Sequence, residues 1–343
     1  MAAVVMADDG IAFDGAMAES GPLGGAETAF VALAEALARR GHRVEARSNC
    51  RAALAHKGVA WAPLGQPIPA RCDLYIGNRG HRVIGLAAGA RRRLFWLHNP
   101  AGYLRKPRNL WRLAWYRPTL IVTGQYHART VPRCVPRRGC AIIPYGVLDL
   151  FRSGEERPPP PPRAVFTSNP LRGLDWLLDQ WERCIAPAVP SAELHIYAGP
   201  AVYGDAGSAR AEAMERILAR AATLAHRGVR RHAPLGREAL ASALRGMRVM
   251  LYRGDPGETF CLSLAEAQAL GVPAVVTRLG AVGERVVDGV TGRVAADAAE
   301  FAEAAIVALR DDALWSRWHR ASLAGQRGLS WDDVAARFEA LIG

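Results

Sequence analysis

The chain has 343 residues, enough for two domains of ordinary size. With 50% hydrophobic and 22% charged residues it has the balance of a globular protein that buries a core in each domain, which excludes disordered and fibrous chains. The formal net charge of +12 lies wholly in the first half, where residues 1–150 carry 21 Lys and Arg against 9 Asp and Glu, while residues 151–343 carry 23 of each. Such a field favours an anionic partner. No apolar run approaches the roughly 18 to 20 residues of a spanning helix. The start, MAAVVMADDG, lacks the basic region of a secretory leader. Six scattered cysteines without a CxxC pair suggest neither a disulfide framework nor a zinc site, so a cytoplasmic protein is expected.

In chain order, the short apolar runs at 2–6, 73–76, 94–97, 119–123 and 141–143 predict buried strands. Between the first two, residues 26–40 predict a helix, with Phe30, Leu33 and Leu37 at helical spacing and Gly41 as its stop. Five consecutive prolines within RSGEERPPPPPR (152–163) can join neither a helix nor a central strand, and predict a semi-rigid linker. The rhythm then resumes with strands at 164–167, 194–198, 249–252 and 274–277, and helices from Leu174 to Ile185, over 208–226 and over 263–270. The tail, 313–342, predicts two helices separated near Gly325 and Gly328. Strands alternating with helices imply parallel sheets covered on both faces. The expected fold is therefore α/β, with two Rossmann-like domains facing across a cleft and ligands beyond the carboxyl ends of the strands.

The densest chemical signal is GDPGETFCLSLAEAQALGVPAVVT, residues 254–277. Asp255, Pro256 and Gly257 place Glu258 in a loop; a helix starting near Phe260 or Ser263 carries Glu266 one turn inside. Backbone N–H groups at such a helix start suit an anion, and carboxylates beside it suit sugar hydroxyls. A capped helix with Glu266 on a solvated face explains the two glutamates alone equally well.

The flanking residues add to this. ETFCLSLAEAQALGVPAVV resembles the E-x7-E segment of retaining GT-B glycosyltransferases, in particular family 4 (glycosyl transferases group 1), and DGVTGRV (288–294) continues the resemblance. In matching order, GGAETAFVALAEALARRGHRV (24–44), IIPYGV (142–147) and SNPLRGLDWLL (168–178) resemble further segments of that family. The resemblance implies a GT-B fold, with an N-terminal acceptor domain over 1–151, the linker, a donor domain over 164–325, and a C-terminal helix in 326–343 packing back on the N-terminal domain. It implies transfer of a sugar from a nucleoside diphosphate, UDP ahead of GDP or ADP, to an acceptor hydroxyl, with retention and without metal or other cofactor.

Carried over residue by residue, the resemblance implies that Glu266 binds the ribose and Glu258 sits beside the donor sugar. The Phe260, Cys261 and Leu262 N–H groups, with Thr259 in the same loop, face the diphosphate. Arg172 stands where the family usually has lysine and neutralises the leaving group; its forked guanidinium suits phosphate oxygens. The usual glycine-arginine pair upstream is absent, and Ser168 and Asn169 offer polar help instead. Cys261 replaces a common glycine, which narrows the approach. Gly24 and Gly25 permit close backbone approach and positive φ, and the resemblance places them near the donor phosphate or the acceptor. His98 matches the family's cleft histidine.

No DxD, GxSxG, HExxH or P-loop pattern supports another chemistry. The segment 96–118 interleaves Arg and Lys with Trp and Tyr. That pattern suits a peripheral contact with the cytoplasmic face of a membrane, or an anionic or lipid-linked acceptor, more than nucleic acid, which is not expected. Polysaccharide or glycolipid assembly is the implied setting. The rivals are a nucleotide-sugar epimerase of the same fold and a non-catalytic protein binding an anionic polymer or membrane.

Overall fold

The computed structural model describes residues 1–21, 23–200, 209–325 and 328–342. They form two compact units, the first of residues 1–146 with 329–343, the second of residues 147–328.

Unit 1 is built on an eight-stranded sheet: β1 (Ala3–Asp8), β2 (Arg43–Ser48), β3 (Leu54–His56), β4 (Val59–Pro63), β5 (Arg71–Asn78), β6 (Gly89–Trp96), β7 (Thr119–Val122) and β8 (Gly139–Ile142). The order is β3-β4-β2-β1-β5-β6-β7-β8. Every neighbouring pair is parallel except β3 with β4. The apolar runs fall on β1, β5, β6, β7 and β8, because a parallel strand covered on both faces needs continuous hydrophobicity. Three strands between the first two runs, β2 to β4, lack that signature. In β2, RVEARS, Ser48 Oγ donates to the Phe13 carbonyl at 2.6 Å, and Arg47 pairs with Glu45 at 3.0 Å.

The helix Gly25–Arg39 packs beneath this sheet. Against it lies the C-terminal helix Trp331–Glu339, started by a capping box between Ser330 and Asp333. Glu339 accepts two bonds from Arg40, each at 2.6 Å. Trp331 stacks on Tyr145, and Phe338 meets Trp96 edge-on at 5.3 Å.

Unit 2 has six parallel strands: β9 (Arg163–Phe166), β10 (Glu193–Tyr197), β11 (Val229–His232), β12 (Val249–Gly254), β13 (Ala274–Leu279) and β14 (Gly292–Ala295). Their order is β11-β10-β9-β12-β13-β14. The division falls after Gly146, ahead of the proline run that the sequence alone makes the joint. That run is part of unit 2 because the residues before it are anchored there: the Arg157 N–H donates to His319 Nε2 at 3.2 Å and its guanidinium to the Leu270 carbonyl at 2.9 Å. The helix expected from 208 is described over Ala209–Thr223; residue 208 and residues 326–327, the start of the expected C-terminal segment, lie outside the described residues.

In each sheet the order in which strands are added reverses across a central parallel pair, β1 with β5 in unit 1 and β9 with β12 in unit 2. The crevice at the carboxyl ends of such a pair is where open α/β sheets bind ligands.

Candidate functional site

In unit 2 the switch point carries the segment 168–172 after β9 and the segment 255–261 after β12. After β9, Asn169 folds the turn: its side chain accepts the Leu171 N–H at 2.9 Å and its carbonyl the Arg172 N–H at 2.8 Å. Gly173, at φ +85°, then starts the helix Leu174–Gln180. Asn169 thus shapes the loop that presents Arg172.

After β12, Gly254 turns the chain at φ +88°, the Asp255 side chain takes the Gly257 N–H at 2.7 Å, and its carbonyl takes the Glu258 N–H at 2.9 Å. The next loop braces this turn, since Ala281 donates to the Glu258 carbonyl at 2.9 Å. Gly280 lies so close that a Cβ would stand 2.1 Å from the Asp255 carbonyl. Cys261, at φ +68°, caps the helix Leu262–Ala269. A non-glycine residue in that region carries strain of about 1–2 kcal/mol.

These turns bring Arg172 and Glu258 together. Arg172 Nη1 donates to Glu258 Oε2 at 2.6 Å, where the Tyr252 hydroxyl also donates at 3.0 Å; the Cys261 N–H donates to Oε1 at 3.2 Å. Ser168 Oγ reaches Tyr252 at 3.4 Å. Burial weakens the Arg172 charge, but the Glu258 carboxylate more than offsets it, and its pKa lies above the ordinary arginine range. Burial and Glu258 hold the Tyr252 phenol protonated. The Cys261 N–H, expected to face an anionic ligand, is therefore spent on Glu258. Thr259, Phe260 and Leu262 are buried beside it, with the Arg285 guanidinium 4.6 Å over the Phe260 ring.

Glu266 is not on a solvated face. It is 1% exposed and accepts from Arg237 Nη1 at 2.9 and 3.2 Å. Burial raises its pKa, against the opposing pull of Arg237. Each glutamate of the pair thus has its own arginine. Tyr252 and Arg237 escape sequence reasoning: the first sits inside an apolar strand, the second opens a separate helix, Arg237–Arg245.

In unit 1 the switch point gathers Asp8 from β1, Asn78 from β5 and His98 from the loop after β6. Asp8 is acceptor-only, which orients the Asn78 amide: its Nδ2 donates to Asp8, its Oδ1 accepts from His98 Nε2, and His98 Nδ1 accepts from the Tyr145 hydroxyl. Burial, then Arg79 and His127, depress the His98 pKa well below its ordinary value, so the ring is neutral. His98 is held by protein groups at both nitrogens. Arg79 bridges Asp8 at 3.0 Å and Glu27 at 2.6 Å.

Gly24 caps the helix Gly25–Arg39 in an extended conformation, and neither it nor Gly25 uses the positive φ that glycine permits. A Cβ at Gly24 would meet the Glu27 carboxylate, which pairs with Arg79, whereas none would meet anything within 4 Å at Gly25. Among the described residues, no group of three His, Cys, Asp or Glu side chains could hold a metal ion, and no helix is long and apolar enough to cross a membrane.

Residues 161–311 match the family model described as glycosyl transferases group 1. A stretch of 99 residues is 34% identical to a phosphatidyl-myo-inositol mannosyltransferase of Mycobacterium leprae; it spans 28% of this chain and only 26% of that relative. The structure of a sucrose-phosphate synthase from Thermosynechococcus elongatus superposes with a TM-score of 0.74 at 17% identity, covering 99% of this chain and 98% of that one. HepE of Anabaena, solved in complex with UDP-glucose, gives a TM-score of 0.70 at 15% identity and 99% coverage of both chains. The chain thus has the two-unit fold of GT-B glycosyltransferases, and its second unit carries the match to group 1 glycosyl transferases.

Proposed function

We propose that the protein is a retaining, metal-independent hexosyltransferase of family 4 that moves a sugar from a nucleoside diphosphate, UDP first, to an acceptor hydroxyl. The observation that carries this reading is the pair of buried glutamates eight residues apart, each held by its own arginine, at the switch point of the second sheet. In this reading unit 2 holds the donor: Glu266 accepts from ribose hydroxyls, and Glu258 orients the transferred sugar.

As the bond from sugar to diphosphate breaks, negative charge grows on the leaving oxygen, and a fixed cation beside it is the main electrostatic aid. Arg172 supplies that cation, already oriented by Glu258. Unit 1 holds the acceptor, with His98 and the Gly24–Gly25 turn at its edge. His98 acts as a neutral, hydrogen-bonded ring rather than as a proton carrier. The basic first half suits an anionic or lipid-linked acceptor, a reading supported by the phosphatidyl-myo-inositol in the name of the M. leprae relative.

The test is incubation with UDP-, GDP- and ADP-sugars, with chelator present, following release of the nucleoside diphosphate and the anomeric configuration of the product. Turnover of a UDP-sugar with retained configuration is expected. Inverted product, strict dependence on added divalent ion, or isomerisation of the donor sugar without transfer would each overturn a named part of the reading.

A further inference from the structure

The stretch from Leu74 to Leu148 contains 14 Arg and Lys side chains and no Asp or Glu. At its centre lies the helix Pro107–Tyr116, whose two faces differ. The inner face is fixed to unit 1. Leu113 is buried, Asn109 Nδ2 donates to the Tyr103 carbonyl at 2.7 Å, and the Arg93 guanidinium lies 4.9 Å from the Tyr116 ring and 5.2 Å from the Tyr75 ring. The outer face carries Trp111 and Trp115, 56% and 78% exposed, one turn apart on the same side of the helix. Arg112 stands 4.8 Å over the Trp111 ring, and Arg105, Lys106, Arg108 and Arg117 are exposed around it. No ion pair among the described residues involves any of these five cations or Arg82. After burial, Arg108, Arg112 and Arg82 depress the pKa of His81 and the Asp9 carboxylate opposes them, which places the three cations in one neighbourhood with Asp9 at its edge.

We propose that this face of unit 1 docks on the surface of an anionic lipid bilayer, with Trp111 and Trp115 seated at the level of the headgroups and the surrounding cations on lipid phosphates. Two chemistries coincide on one short helix. An indole with its body in the acyl boundary and its N–H toward water is stable at that depth and poorly placed in bulk solvent. Cations that form no ion pair, in a field where they outnumber the one nearby carboxylate, Asp9, are drawn to a negative leaflet. Neither a neutral bilayer nor an acidic solute satisfies both. The helix lies on the surface and does not cross it, since it spans only ten residues. This docking stands on unit 1 alone and does not depend on the transfer reaction.

The experiment uses the full chain with vesicles of phosphatidylcholine alone and of phosphatidylcholine mixed with phosphatidylglycerol, following co-sedimentation and tryptophan emission. Binding to the mixed vesicles with a blue shift in emission, reversed by high salt, is expected. Arg108→Gln with Arg112→Gln weakens partitioning about 30-fold, at the usual gain per basic residue near a charged leaflet. Trp111→Ala with Trp115→Ala weakens it about tenfold and removes the blue shift. Trp111, Trp115 and Arg108 face solvent and the half-buried Arg112 lies over the exposed Trp111 ring, so the variants retain the wild-type far-ultraviolet dichroism. Equal partitioning into neutral vesicles, binding untouched by loss of both tryptophans, or tighter binding to single-stranded nucleic acid than to the mixed vesicles at equal salt would each overturn the proposal.

Discussion

Arg172 donates to Glu258 at 2.6 Å across 86 residues of sequence, and it shares that carboxylate with the Tyr252 hydroxyl and the Cys261 N–H. A cation already ordered by a buried network needs little reorganisation when charge develops beside it. Replacing Arg172 by Ala is expected to lower kcat/KM by about 10²–10³, as loss of an oriented electrostatic donor does. Arg172→Lys, which keeps the charge but not the fork, falls between. Initial rates on a UDP-sugar check this; an alanine variant as fast as wild type would remove Arg172 from the chemistry.

Glu266 and Arg237 give a prediction with two readouts. Removing one partner of a buried ion pair costs about 3–5 kcal/mol, because the other charge is left uncompensated. Glu266→Ala removes the buried carboxylate that Arg237 holds at 2.9 Å, so it is expected to lower the denaturation midpoint and to raise the donor KM. Glu266→Gln keeps an acceptor for Arg237 and should restore more stability than affinity. Because burial raises the Glu266 pKa, acid should weaken donor binding at a higher pH than an ordinary glutamate with pKa 4.5 would allow. Calorimetric titration with UDP across that range tests it; identical affinity for wild type and Glu266→Gln at every pH would exclude a charged Glu266 from donor recognition.

How much of this was legible in the sequence depends on the range of each cause. Parallel strands announce themselves by continuous hydrophobicity, so β1, β5 to β8, β9, β10, β12 and β13 are readable from single runs. In β2 and β11 polar residues occupy much of the strand, and β14 is a four-residue strand that carries an arginine, so none of the three shows a continuous apolar run. The same holds at the site. Glu258 and Glu266 lie in one local motif, whereas Tyr252, Arg237, Asn78 and Tyr145 gain their roles from partners that folding brings in. His98 shows the limit most clearly: its place after β6 is local information, but the two bonds that occupy its ring come from residues 20 and 47 positions away.

Cys261 holds φ +68° where glycine is the usual solution. Cys261→Ala loses the buried sulfur and keeps the strain, while Cys261→Gly loses the sulfur and relieves it. The glycine variant is therefore expected to be more stable than the alanine variant by about 1 kcal/mol. A β-branched residue suits this region least, so Cys261→Val should fall below both. Chemical denaturation ranks the three; alanine above glycine would mean that the positive φ is not retained.

Buried imidazoles held neutral make the folded protein sensitive to acid, and His127 and His98 are two of them. His127 accepts at Nδ1 from the Thr123 N–H and hydroxyl and donates from Nε2 to the Asn99 carbonyl at 2.9 Å, and burial lowers its pKa from 6.5 to about 4. Burial shifts His98 in the same direction. For a histidine depressed in the folded state, the unfolded chain binds the proton first. Stability is thus complete above the ordinary pKa of 6.5 and is lost as pH falls toward the folded value of about 4. Over that window each such ring contributes a slope of about 1.4 kcal/mol per pH unit. Denaturation free energies measured from neutral pH downward should fall accordingly. His127→Asn lowers stability at neutral pH and should flatten the acid limb by one such slope, so its deficit narrows as pH falls. A variant with the wild-type slope, or imidazole resonances of His98 and His127 that protonate near 6.5, would show that these rings are not held neutral.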